Sequence, residues 1–201
     1  MWWTILIIIV VVAIIGGLLV GIYNGLIRKR NQVKNAWSQI DVQLQRRYDL
    51  IPNLVETVKG YMSYEKSTLQ SVIEARNQAS SARDALEKMG GPTGEGVSLK
   101  DLAGAETTLQ GALGHLFALS ENYPELRATE NMQRLQEELS STENKVAFSR
   151  QAYNDSVMLY NTAQQEFPAA MFASMFGHKP ADLFETEEAE AKKGIKVDFS
   201  S

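Results

Sequence analysis

From Met1 to Ile27 the chain carries no charged side chain, and Ile5 to Val20 is built only of Ile, Val, Leu, Ala and Gly. A run of ~20 apolar residues can cross a bilayer only as a helix, because hydrocarbon offers its backbone no hydrogen-bond partner. Trp2 and Trp3 mark one end and Tyr23 the other, as in an aromatic belt. The rise from Trp3 to Tyr23 is about 30 Å at ~1.5 Å per residue, close to the hydrocarbon thickness. A cleaved signal peptide would open on Lys or Arg and carry a shorter apolar stretch. Neither holds here, so the segment is expected to stay as an anchor over residues 1–27. Without cysteine, a lipobox, disulfides and thiolate catalysis are all excluded.

Arg28, Lys29 and Arg30 follow at once, with Lys34 close behind. Basic residues beside a span are retained in the cytoplasm. The expected topology is single-pass, with the N-terminus outside and the remaining domain cytoplasmic. Within the span Ala13, Gly17, Gly21 and Gly25 recur every fourth residue. They form a small-residue stripe of the kind that lets two membrane helices touch backbone to backbone. A homo-oligomer in the lipid bilayer is expected from it.

Beyond the membrane the apolar residues keep a heptad rhythm. One series runs Leu26, Arg30, Val33, Trp37, Ile40, Leu44, Arg47, Ile51, Leu54, Val58, Tyr61, and the rhythm continues from Glu65 to Met89. Another runs Met132, Leu135, Leu139, Thr142, Val146, Ser149, Tyr153, Ser156, Tyr160. The fold class is therefore all-α: a membrane helix, then an elongated antiparallel bundle with coiled-coil-like packing over 28–177. Pro52 interrupts the first series, and a kink is expected there. An uninterrupted helix to Met89 would be roughly 95 Å long, so the chain is expected to turn near Met62 to Glu65. The glycines between residues 90 and 97 mark a loop. Ser98 can cap a helix reaching about Asn122, and Pro124 can open one reaching about Glu166. Pro168 opens a short apolar helix over 169–176. Residues 178–201 are polar and acidic and are expected to be a mobile tail, ending in a strand-like alternation of Ile195, Val197 and Phe199.

Laid antiparallel, the first and last long helices bring together residues whose numbers sum to roughly 190. That rule predicts ion pairs Arg47–Glu143, largely buried, and Asp41–Arg150. Thr142, Ser149 and Ser156 occupy core slots too; either they fix register or the stripe rotates to expose them. The segment holding Phe167, Met171, Phe172, Met175 and Phe176 is rich in Phe and Met, which suits either contact with a membrane surface or assembly, or a cap on the bundle core.

Little here promises chemistry. His115 and His178 are the only histidines and are expected to be exposed. There is no H-E-x-x-H and no phosphate-binding Gly-rich loop. Glu137, Glu138 and Glu143 lack the Glu-x-x-His pairs of a di-metal bundle. No catalytic residue, metal or cofactor is expected. The net charge of -4 argues against nucleic acid.

Several stretches resemble the LemA family of bacterial membrane proteins. They include Ala36-Trp37-Ser38-Gln39-Ile40-Asp41, Arg46-Arg47-Tyr48-Asp49-Leu50-Ile51-Pro52-Asn53-Leu54-Val55 and Glu121-Asn122-Tyr123-Pro124. Later ones are Thr142-Glu143-Asn144-Lys145-Val146-Ala147, Arg150-Gln151-Ala152-Tyr153-Asn154 and Tyr160-Asn161. The resemblance runs from the membrane helix to about Phe176, without the 90–96 loop or the acidic tail. It implies a membrane-anchored helical bundle and no established enzymatic activity. It also implies neighbours such as a membrane metalloprotease or a TPM-domain protein, and a link to magnetosome membranes through one related protein. The function expected is a non-enzymatic scaffold or adaptor that self-assembles and organises envelope or membrane-quality-control proteins. The alternative is a membrane-shaping protein that binds the bilayer surface through 167–176.

Overall fold

A computed structural model describes residues 1–62, 64–94 and 98–185. Helix α1 runs unbroken from Trp2 to Lys59, 58 residues, or about 87 Å. The membrane segment and the first bundle helix are thus one rod. Its N-terminal part is long and apolar enough to span a bilayer and is not covered by the rest of the chain. After a turn at Gly60 and Tyr61 come α2 (Lys66–Lys88), a 3-10 turn (Gly91–Thr93) and α3 (Lys100–Ser120). The short α4 (Pro124–Arg127), the long α5 (Glu130–Gln165) and a second 3-10 turn (Ala169–Met171) complete the chain's helices among the described residues.

Leu26, Val33, Trp37, Ile40, Leu44, Arg47, Ile51, Leu54 and Val58 are all buried, the heptad face of α1. The turn falls where a straight helix would have outrun the bundle. α1 packs against both α2 and α5, and α2 against α3. Trp37 meets Tyr153 with ring centroids 5.6 Å apart, and those numbers sum to 190, so the antiparallel register of α1 and α5 is the one the heptads imply. The core forms one cluster along the rod, with a small second cluster of Leu26, Ala163 and Ala173 at the membrane end.

Pro52 lies inside α1 without ending it. Its missing N–H orphans the carbonyl of Tyr48, four residues back. The Arg76 Nε of α2 donates to that oxygen at 3.2 Å. A neighbouring helix thus supplies the bond the proline removes.

Three boundaries differ from the sequence expectations. The helix expected from Pro124 to Glu166 breaks at Ala128, because Thr129 stops α4 and caps α5, its hydroxyl accepting from the Met132 N–H at 3.4 Å. The helix expected over 169–176 is only one 3-10 turn followed by tight turns. The bundle also does not end at Gly177. That glycine adopts φ +73°, a left-handed conformation open to a residue without Cβ, and it turns the chain back along α5, where it stays packed as far as Phe184. The strand-like Ile195, Val197 and Phe199 lie outside the described residues.

The hydroxyls in core slots are settled locally. Thr142 is buried and donates to the Glu138 carbonyl at 2.8 Å, and half-buried Ser156 donates to that of Ala152 at 2.8 Å. Each satisfies its own helix's backbone and needs no partner across the bundle. Beyond Tyr153 the buried stripe moves from Ser156 to Val157, as an α-helix of 3.6 residues per turn drifts off a 3.5 repeat.

Candidate functional site

Three constructions stand out: a buried polar triad in mid-bundle, a hydrophobic collar at the membrane end, and a clamp on the segment after Gly177.

Arg47 is buried, as its heptad position implies, but its partner is not Glu143. It forms an ion pair with Glu106 of α3, and the Tyr48 hydroxyl donates to the other oxygen of the same carboxylate. Burial, then the Glu106 charge and hydrogen bond, push the Tyr48 phenol well up, so it stays protonated and donates. Arg47 and Glu143 line one cavity of about 200 Å³, so the helix register is right and the pairing is wrong. The reason is hydration. Glu143 is exposed, whereas a desolvated guanidinium is best neutralised by a carboxylate that is itself buried, and Glu106 is 6 % exposed.

Asp41 likewise pairs with Arg83 of α2 rather than Arg150. The guanidinium also donates to Asp41 Oδ2 at 3.0 Å and to Gln45 Oε1 at 2.6 Å. The hydrogen bond to Asp41, opposed by burial and helped by the Asp41, Glu87 and Asp84 charges, raises the Arg83 pKa further. α2 lies against this face of α1 and brings its arginine there in a fork that fits a carboxylate. Neither Glu143 nor Arg150 forms an ion pair among the described residues.

At the membrane end, Ala173 packs into the Leu26 cluster and Phe176 meets Tyr23 edge-on, centroids 5.3 Å apart. Phe172 stacks on Phe176 at 6.2 Å. This seats the 167–176 segment beside the inner end of the span. Phe167, Met171 and Met175 point away from the bundle, 82, 66 and 71 % exposed. Phe172 and Phe176 are only half-buried. The Ala13, Gly17 and Gly21 positions lie on the uncovered surface of the span, and a Cβ at Gly17 or Gly21 would meet nothing within 4 Å.

The clamp was not foreseen. Asn161 holds both backbone groups of Ala181, donating to its carbonyl at 2.9 Å and accepting from its N–H at 2.9 Å. Asn154 does the same for Phe184, at 3.3 and 2.8 Å. The Tyr153 hydroxyl donates to the Asp182 carbonyl at 2.8 Å. The Phe184 ring lies 6.0 Å from that of Trp37. His178, expected to be exposed, is buried, its Nδ1 2.9 Å from the Tyr160 hydroxyl. A signal for the clamp was present: the dipeptide Tyr-Asn occurs at 153–154 and again at 160–161, one heptad apart.

Burial, and then the Arg30 cation, pull the His178 pKa below its ordinary value of 6.5. Tyr160 and Tyr23 face the same ring. A depressed histidine binds its proton better when released, so docking is favoured in full above pH ~6.5 and is lost as pH falls through and below that value. Protection of the amides over residues 178–185, with exchange corrected for its intrinsic pH dependence, should therefore fall between pH 7 and pH 5, and His178→Gln should remove the dependence. A protection factor in the native chain that does not change over this range would contradict this.

An open groove of about 750 Å³ along the outer side of α5 is lined by Gln133, Glu137, Ser141, Lys145 and Phe148 among others. Among the described residues no group of three or more His, Asp or Glu gathers within reach of a metal ion.

Comparison with known proteins fits this architecture. The chain is 28 % identical over 179 residues to the magnetosome protein MamQ of Magnetospirillum gryphiswaldense, covering 83 % of this chain and 66 % of that protein. It is 27 % identical, over the same shares, to magnetosome protein MamQ 2 of Paramagnetospirillum magneticum. The chain thus spans just under two thirds of the length of these relatives. It is also 25 % identical over 181 residues to the protein LemA of Metamycoplasma hominis, covering 90 % of this chain and 75 % of that one. The family model for the LemA family matches residues 36–199, so the likeness extends through the 90–96 loop and beyond Phe176, further than the motifs alone suggested. With most of its bundle inside that match, the chain belongs to the LemA family.

Proposed function

We propose that this protein is a non-enzymatic, membrane-anchored scaffold or adaptor that self-assembles and organises other membrane proteins. The observation that carries the reading is the single helix α1, which joins an apolar span directly to a bundle with no flexible joint between them. A rigid post of this kind presents surfaces at a fixed height above a bilayer; an enzyme acting on soluble substrates gains nothing from it. Relatives named as magnetosome proteins support a role tied to a membrane structure. A membrane metalloprotease or a TPM-domain protein is the kind of partner to test first. Self-association is assigned to the Ala13, Gly17, Gly21 and Gly25 stripe. Gly17→Ile with Gly21→Ile is expected to reduce oligomer size in mild detergent while helix content stays unchanged. A chain that is monomeric before the substitutions, and captures no membrane protein, would defeat the scaffold reading.

A second reading, that the protein also rests on the bilayer surface, is favoured by the collar. Phe167, Met171 and Met175 stand exposed in the segment whose Phe176 meets Tyr23, and apolar and aromatic side chains at the end of a span settle among lipid headgroups. Converting these three to Asp is expected to make the bundle more accessible to water-soluble quenchers near the membrane in liposomes. The substitutions leave the packing of Ala173 on Leu26 untouched. Unchanged quenching of Phe167→Trp, with and without the other two substitutions, would reject surface contact.

A further inference from the structure

The segment after Gly177 is held the way receptors hold peptides, by side chains that grip its backbone. Asn154 and Asn161 each pair with both the N–H and the carbonyl of one residue, Phe184 and Ala181. The two lengths match. Seven residues of α-helix rise about 10.5 Å, and three residues of extended chain cover roughly 9–10 Å. His178, Ala181 and Phe184 are buried, while Lys179, Pro180, Asp182 and Leu183 face outward. This three-residue period, with a proline inside it, is that of a polyproline-II strand laid in a groove. One aromatic contact, Phe184 against Trp37, adds side-chain selectivity at the far end.

None of these contacts needs the segment to belong to the same chain. We infer that Asn154, Asn161, Tyr153 and Trp37 form a peptide-binding groove for an extended Ala-x-x-Phe segment, and that its ligand in trans is the 178–185 segment of a second copy. The choice of a second copy follows from α1. The rod fixes the groove's height above the bilayer, so the segment leaving a neighbour's collar emerges at the same level as this groove. Each copy carries both the groove and its ligand, and the cis segment is then a built-in competitor. The inference deepens the self-assembly reading and rests on it, but it depends on the groove and not on the glycine stripe.

The absence of cysteine allows unique labelling of the full-length chain. One chain carries Asn154→Ala, Asn161→Ala and a donor dye at Glu185→Cys, giving it a free segment and a disabled groove. The other carries Ala181→Asp, Phe184→Ser and an acceptor at Ser38→Cys, giving it an empty groove. Mixed in one detergent or bilayer preparation, they are expected to show energy transfer that excess synthetic peptide of residues 178–185 abolishes. The same peptide with Ser at the Phe184 position should not abolish it. Transfer that the peptide leaves unchanged would overturn the exchange while leaving self-assembly standing. An absence of transfer, with both chains helical, would overturn the exchange, and size measurement of the same sample then decides self-assembly separately. If the double alanine chain loses helix content, the wild-type chain labelled at Glu185→Cys serves as donor, and peptide-sensitive transfer remains the deciding result.

Discussion

Glu106→Gln is expected to destabilise the bundle by about 3–5 kcal/mol, because it leaves the Arg47 cation buried without a counter-charge. In a domain of this size that corresponds to a fall in melting temperature of roughly 6–20 °C, read by helical circular dichroism in detergent. Glu143→Gln, at the partner expected from the heptads, is expected to change little, since that carboxylate is exposed and unpaired among the described residues. The comparison separates the two partners directly. Equal losses from the two substitutions would reject the Glu106 assignment. A further arm tests why the triad is costly to disturb. Replacing all three groups together, by Arg47→Met, Tyr48→Phe and Glu106→Leu, leaves no buried polar atom stranded. It should therefore recover much of the loss suffered by Glu106→Gln alone.

The second large effect concerns orientation. A reporter fused after Ser201 is expected to be active on the cytoplasmic side, because Arg28, Lys29, Arg30 and Lys34 crowd one flank of the span while Met1 to Ile27 hold no Lys or Arg. Arg28→Gln and Lys29→Gln, with lysines inserted after Met1, should shift a large fraction of molecules to the inverted topology. Arg30 is left in place because it donates to the Thr93 carbonyl at 3.3 Å and its loss would disturb the bundle itself. A wild-type reporter active only outside the cytoplasm would overturn the assignment.

Much of the architecture could be read from spacing. The span, the heptad face of α1 and the α1–α5 register follow from where apolar residues recur, and burial enforces that pattern directly; the turn near residue 62 follows instead from the length that an unbroken helix would reach. The ion pairs did not follow, because a two-helix alignment cannot rank three neighbours. Arg47 lies within reach of both α3 and α5, and desolvation decided between Glu106 and Glu143. Glu106 stands in the heptad series Leu99, Leu102, Glu106, Leu109, Leu113, Leu116 of α3, a signal on a third helix that an alignment of α1 with α5 alone does not use. Polarity misled the reading after Gly177. Acidic composition describes the segment's outer face, whereas its docking rests on every third residue and on backbone groups that composition does not register. Paired Tyr-Asn dipeptides on α5 held that information, in the helix rather than in the segment it grips.

An unjointed α1 also makes the protein a lever. Membrane helices tilt by about 20° on average and adjust that angle to bilayer thickness. The part of α1 beyond the span, Arg28 to Lys59, is about 48 Å long. A 20° inclination displaces its far end sideways by roughly 16 Å, carrying the tip at Tyr61 and Tyr64, both exposed. Small changes in lipid thickness are thereby magnified into movements as wide as a helix and a half at the surface farthest from the bilayer.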